Sequence, residues 1–353
     1  MTAAATPVAA SAAPRKSAHA PSADAVRDKG WWKASQWLVL RRFSQLAILA
    51  LFLLGPLAGV WIVKGNLSSS LTLNTLPLTD PFLLAQVLLT RHWPETSALL
   101  GGIIVIVFYA LVGGRVFCSW VCPLNMVTDG ASWLRRRLNI TSGRTPRRAL
   151  RHWIMAAALA ASAITGVTVW EWVNPVSMMH RSLIFDLPDA IKPPIDPTAE
   201  SVIAPPQLAT LGSQQTIQVN PAKPPISAGE MALRVIGVFV SFAWGAVAAV
   251  FLFDLLIAPR GWCGHVCPLG AAYHLIGRKS LLRVSARHSS ACNDCADCFA
   301  VCPEPHIIPV PLKGKGGVTP LILTSECTNC GRCIDVCSKD VFVFTHRFDH
   351  RRD

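Results

Sequence analysis

The sequence predicts an α-helical membrane protein, with four transmembrane helices in a pseudo-two-fold bundle and a small C-terminal α+β domain. Three observations predict it. Four long runs are apolar enough to span a bilayer, a short cysteine–proline element follows two of them, and eight of the twelve cysteines lie between residues 292 and 337. A chain of 353 residues could hold several soluble domains, but 52% hydrophobic and only 15% charged residues point to a membrane protein. The net charge of +13 alone would suggest a nucleic-acid partner. The basic residues instead sit in short clusters beside apolar runs, so they read as topology signals and no nucleic acid is expected.

Residues 1–30 are rich in Ala, Ser and Pro and have no apolar core. They cannot form a signal peptide's apolar region and are expected to be a disordered cytoplasmic tail. The membrane domain is expected over 31–290, with spans at 43–63, 96–114, 152–170 and 235–253. Each run is long enough, at ~1.5 Å per residue, to match a hydrocarbon core of ~30 Å. Lys33, Arg41 and Arg42 precede the first span, a group from Arg115 to Arg151 separates the second from the third, and Arg260, Arg278, Lys279 and Arg283 follow the fourth. Because Lys and Arg accumulate on the cytoplasmic side, this predicts an inner-membrane protein with both termini cytoplasmic.

Asp80-Pro81 ahead of the apolar run Phe82–Leu89 has the form of a helix start, with Asp as cap and Pro in the first turn. The run is too short to span and is expected to lie in the outer interface. The outer segment near 175–230 is Pro-rich and reads as an extended linker.

Cys118-Ser-Trp-Val-Cys122-Pro123-Leu124 follows the second span, and Cys263-Gly-His-Val-Cys267-Pro268-Leu269 follows the fourth, each three residues after an Arg. This internal repeat implies two pseudo-symmetric hairpins. On a helix, cysteines four apart share a face, and Pro disfavours helix in the residue before it, so each element should sit at a helix break. The four thiols could ligate a third metal centre, act as redox dithiols, or be small buried residues. Asp254, after the fourth run, is either a proton acceptor for a quinol or an interfacial carboxylate paired with a nearby Arg. His152 and His265 read as helix-end histidines, and no histidine pair falls mid-span, so no haem is expected.

In the C-terminal stretch, 291–353, Cys292, Cys295, Cys298 and Cys302 form C-x2-C-x2-C-x3-C, and Cys327, Cys330, Cys333 and Cys337 repeat it. This is the bacterial ferredoxin spacing, in which the fourth cysteine of each run reaches the other cluster. Two 4Fe–4S clusters are therefore expected, one on Cys292, Cys295, Cys298 and Cys337, the other on Cys327, Cys330, Cys333 and Cys302. Zinc and disulfides are the competing readings of such a cysteine set.

The stretches Gly30-Trp31-Trp32 with Trp37–Arg42, Gly65–Leu71, Phe117–Asn125, Trp170–Ser177, Gly261–Pro268 and Cys327–Cys337 together resemble the NapH family of membrane-bound ferredoxin-type proteins. The loop around 186–228 looks longer than is usual in that family. The resemblance implies a subunit of a quinol dehydrogenase that passes electrons from the membrane quinone pool toward a periplasmic nitrate reductase. Its implied partners are a NapG-type iron–sulfur protein and a membrane-anchored multihaem cytochrome. The alternative is a redox assembly factor that reduces metals or thiols, like the related ferredoxins of oxidase maturation. Those carry a further C-terminal β-sandwich, whereas sixteen residues follow Cys337 here.

Overall fold

The computed structural model describes residues 21–58, 60–140, 142–177, 242–313 and 319–351. Nearly all of the Pro-rich stretch, the first residues of the fourth apolar run and most of the expected tail lie outside the described residues. The chain divides into two compact units, one of Met1–Arg41 with Ser280–Asp353, the other of Arg42–Lys279.

The first unit joins the two ends of the chain. The tail expected over 1–30 gives way to helix α1 (Ala23–Lys33), with Asp24 in its first turn and Lys33 in its last, as the helix dipole favours. Lys29 supplies what the composition did not show: its ammonium donates to the Ile334 carbonyl at 2.8 Å and pairs with Asp340 at 2.9 Å. The C-terminal part pairs β4 (Leu282–Ser285) with β5 (Val343–His346) in antiparallel register, Val284 opposite Phe344. Its core is formed by Val284, Val301, Ile307, Ile308, Ile322, Val336, Val341 and Phe342, with cysteines packed against it.

Helix α2 (Gln36–Ala58) begins in this unit and continues into the second. Its segment Gln36–Gly55 is long and apolar enough to cross a membrane by length and composition. The helix starts ahead of the expected 43–63 because Arg41 and Arg42 lie inside it rather than flanking it. Arg41 is buried, and Arg42 is neutralised by Asp129.

In the second unit, β1 (Val63–Gly65), β2 (Ser69–Thr72) and β3 (Leu76–Thr79) form an antiparallel sheet in that order. Helices α3 (Pro81–Leu89), α4 (Thr96–Val112), α5 (Val116–Trp120), α6 (Leu124–Arg137), α7 (Leu150–Thr165) and α8 (Val169–Val173) follow. After the undescribed stretch come α9 (Phe242–Leu252), π-helical turns at Phe253–Ile257 and Trp262–Val266, and α10 (Pro268–Ile276). Among the described residues α4, α7 and the segment Gly245–Ile257 are apolar but shorter than a full span.

Helix α3 starts as its sequence predicts. Asp80 caps it, accepting the Phe82 amide at 3.2 Å, and Pro81 opens the first turn. One side of it packs into the second unit, while Leu88 and Leu89 at its end stay exposed. Phe82, Leu84 and Gln86 are buried, and Phe82 belongs to one core with Tyr109, Phe117, Trp170 and Tyr273. Gly102 of α4 makes room for α3, since a Cβ there would meet Leu84 at 2.3 Å, while a Cβ on Gly101 would press on Pro77 and Thr79 of β3. Polar contacts complete the seat, with Gln86 Oε1 accepting from the Ser162 hydroxyl and the Trp170 amide.

Candidate metal centres

The two cysteine–proline elements fold alike. In the first the Cys122 amide donates to the Phe117 carbonyl, and in the second the Cys267 amide donates to the Trp262 carbonyl. Both are i→i+5 closures of the kind that recurs at functional sites, and both fall at the same position of the repeat. Pro then starts the next helix in each, at Pro123 before α6 and Pro268 in α10.

Cys118, Cys122, Cys263 and Cys267 line a single apolar cavity, closed by Phe117, Leu124, Leu269, Trp170, Trp262 and the Asn174–Val176 turn. Two buried guanidiniums stand beside it. Arg115 reaches the Cys118 thiol and donates to the Cys263 carbonyl at 3.1 Å, while Arg151 donates to the Gly264 carbonyl at 3.1 Å. Thr128 Oγ1 lies 3.8 Å from Cys263 Sγ. The sequence placed Arg115 and Arg151 among the topology signals; the matched three-residue distance of Arg115 and Arg260 from the two cysteine elements was the available hint of a second role for Arg115.

Asp254 lies behind this site, fully buried, and does not line the cavity. Its Oδ1 accepts the Trp262 amide at 2.8 Å, which fixes the start of the second element. Its Oδ2 has no hydrogen-bond partner among the described residues. His265 is buried inside the element, and His152 faces His274 at 3.4 Å.

In the first unit the two cysteine runs also fold alike. Their short helices, α11 (Asp297–Val301) and α13 (Arg332–Val336), with α12 (Pro309–Lys313) between them in the chain, each begin just before the third cysteine, after a residue in the left-handed region. That residue is Ala296 at φ 67° in one run and Gly331 at φ 72° in the other. Cys302, Cys327, Cys330 and Cys333 line one pocket, with Glu304 and Glu326 at its edge and His306 between the two carboxylates. Cys292, Cys295 and Cys337 gather around Cys298. The fourth cysteine of each run thus stands with the first three of the other.

None of the twelve cysteines forms a disulfide. Burial, and then neighbouring Cys295, Cys337 and Cys292, push the Cys298 thiol up to about 12. Burial, followed by Cys330, Cys302 and Cys327, likewise raises Cys333 well above the ordinary thiol value. Such groups ionise together only around a strong cation, so the donor chemistry fits iron. The Val341 amide already donates to Cys337 Sγ at 3.4 Å, as a ligating sulfur would require.

A 4Fe–4S dicluster domain model matches residues 291–341, and a 4Fe–4S binding domain model matches twice, at 96–141 and 236–287. The second model thus falls on both cysteine–proline elements. The ferredoxin-type protein NapH of Haemophilus influenzae is 43% identical over 91% of this chain and 93% of its own length. NapH of Escherichia coli K12 is 42% identical over 92% and 94%, respectively. The methylamine utilization ferredoxin-type protein MauN of Methylorubrum extorquens is 42% identical over 93% and 95%. The chain belongs to the NapH/MauN family of ferredoxin-type proteins. As a family member with matching 4Fe–4S domains, it is an iron–sulfur electron-transfer protein. NapH and MauN relatives match it equally well, so identity alone does not divide the two. No solved structure matches the chain.

Proposed function

We propose that the chain is the membrane electron-transfer subunit of a quinol dehydrogenase, sending quinol-derived electrons toward periplasmic nitrate reductase with a NapG-type partner and a multihaem cytochrome. The carrying observation is the apolar cavity that collects four thiols from two repeated elements beside the buried Arg115 and Arg151. Two cations next to four thiols favour an anionic centre over four neutral side chains, and a thiolate-bound cluster is anionic. In this reading Cys118, Cys122, Cys263 and Cys267 hold a third 4Fe–4S centre. Cys292, Cys295, Cys298 and Cys337 hold one ferredoxin cluster, and Cys302, Cys327, Cys330 and Cys333 the other.

When bound, the clusters supply one-electron steps to a two-electron quinol. The protein's own part is to keep water from the sulfurs with Phe117, Trp170 and Trp262, and to fix the second element through the Asp254–Trp262 bond. Asp254 Oδ2, buried and without a partner among the described residues, is the proposed proton acceptor. The four apolar runs are read as spans of the inner membrane with both termini cytoplasmic, which keeps the ferredoxin thiols in a reducing compartment.

A second reading keeps the electron-transfer module and changes its destination to methylamine utilisation, because MauN relatives match as closely as NapH relatives. Membranes holding the full chain and its partner should oxidise a quinol analogue, with nitrate or methylamine metabolism as the coupled reaction that separates the two destinations. Asp254→Asn should slow that oxidation. Cys118→Ser with Cys263→Ser should lower the iron content by one cluster's worth and remove one paramagnetic resonance signal. Unchanged iron would sink the third centre, and no quinol oxidation would sink the dehydrogenase reading.

A further inference from the structure

We infer that Asp335 is a positioning residue that ties the iron-bound state of the second cysteine run to the first turn of α2. The inference rests on the ferredoxin cluster assignment above and uses nothing about quinol. Asp335 lies between Cys333 and Cys337, which the assignment gives to different clusters. Its side chain is fully buried, and both its oxygens face α2. Oδ1 accepts the Trp37 amide at 3.1 Å and Oδ2 the Leu38 amide at 3.0 Å. These are first-turn amides that have no partner within their own helix, and a capping side chain ordinarily serves them from the adjacent residue. Here the cap comes from 298 residues away in sequence. Arg332 balances the carboxylate at 3.2 Å from Oδ2.

The neighbouring contacts point the same way. The backbone of Gly331 lies against the Trp37 ring so closely that a Cβ there would come within 2.5 Å of it. The Trp37 ring in turn meets Phe344 edge-on at 4.8 Å.

The two cysteine runs are the same motif, yet the first carries Ala300 where the second carries Asp335. A ferredoxin fold therefore does not need a carboxylate at this position; the head of α2 does. The helix that presents Asp335, α13, has only five residues. So short a helix is not stable alone, because nucleation costs more than one turn returns. Iron on Cys333 and Cys337 pins both sides of Asp335 and so holds the cap in place. Without iron, α13 frays, the two amides lose their acceptor and the first turn of α2 opens.

The test is hydrogen–deuterium exchange of the full chain in detergent, read over residues 31–42, with iron and resonance signals measured on the same samples. Chelating the iron from the wild type should speed exchange of that segment at least tenfold, and Asp335→Ala should do so with iron still bound. Asp335→Asn should raise the reduction midpoint of a ferredoxin cluster, since it removes a nearby negative charge. A merely structural cap would not do so. Should Asp335→Ala fail to accumulate, the chelation arm and Asp335→Asn still decide. Unchanged exchange after iron removal, or unchanged midpoints in Asp335→Asn, overturns the inference. A wild-type preparation without iron overturns the cluster assignment and this inference with it.

Discussion

Asp80 is the residue whose role the letters state most plainly and whose surroundings they hide. The Asp-Pro pair announces a helix cap, and the Asp80 side chain serves the Phe82 amide. One side of the helix it starts is buried, and Asp80 itself stands against the Tyr273 hydroxyl. Asp80→Ala should cost about 1 kcal/mol through the lost cap, more where Tyr273 is left unpaired, and Asp80→Asn should cost less. Thermal unfolding in detergent checks the order. The same contrast holds for Arg115 and Arg151. Their charge was legible as topology, but their placement beside thiols depends on side chains from α7 and the second repeat meeting in space, which no local pattern encodes.

At the scale of elements, the repeat Cys118–Leu124 and Cys263–Leu269 was fully readable, because a helix break before Pro follows from local sterics. The burial of α3 was less so. Its length excludes a span, and only Gly102 on the facing helix hints that a side chain presses there. A tighter approach joins the end of α4 to α10, where a Cβ on Gly114 would fall 1.7 Å from the Tyr273 carbonyl oxygen. Backbone cannot yield as a side chain can. Gly114→Ala should therefore cost at or above the ~3 kcal/mol upper end of ordinary overpacking, seen as lost folded protein in size-exclusion chromatography. The ferredoxin runs were legible to the residue in their spacing, whereas the cap that Asp335 gives α2 was not, since sequence carries no mark of a contact between opposite ends of the chain.

For the whole molecule, the sequence gives a hydrophobic chain with two halves and a cysteine-rich end, and the structure adds how the halves are held. Arg115 and Arg151 belong to the first half, yet they bond the backbone of Cys263 and Gly264 in the second. Arg135 does the same for the Leu255 carbonyl. Each is a buried cation holding a carbonyl, so each bond is stronger than a neutral one and costly to leave unmade. These bonds tie the two halves directly to each other. A gene cut within codons 178–230 and expressed as two chains should yield a complex that copurifies and keeps its iron. Arg115→Met with Arg151→Met should abolish copurification of the pieces. The repeat would then be a pair of modules that recognise each other, an arrangement in which two separate polypeptides can do the work of one.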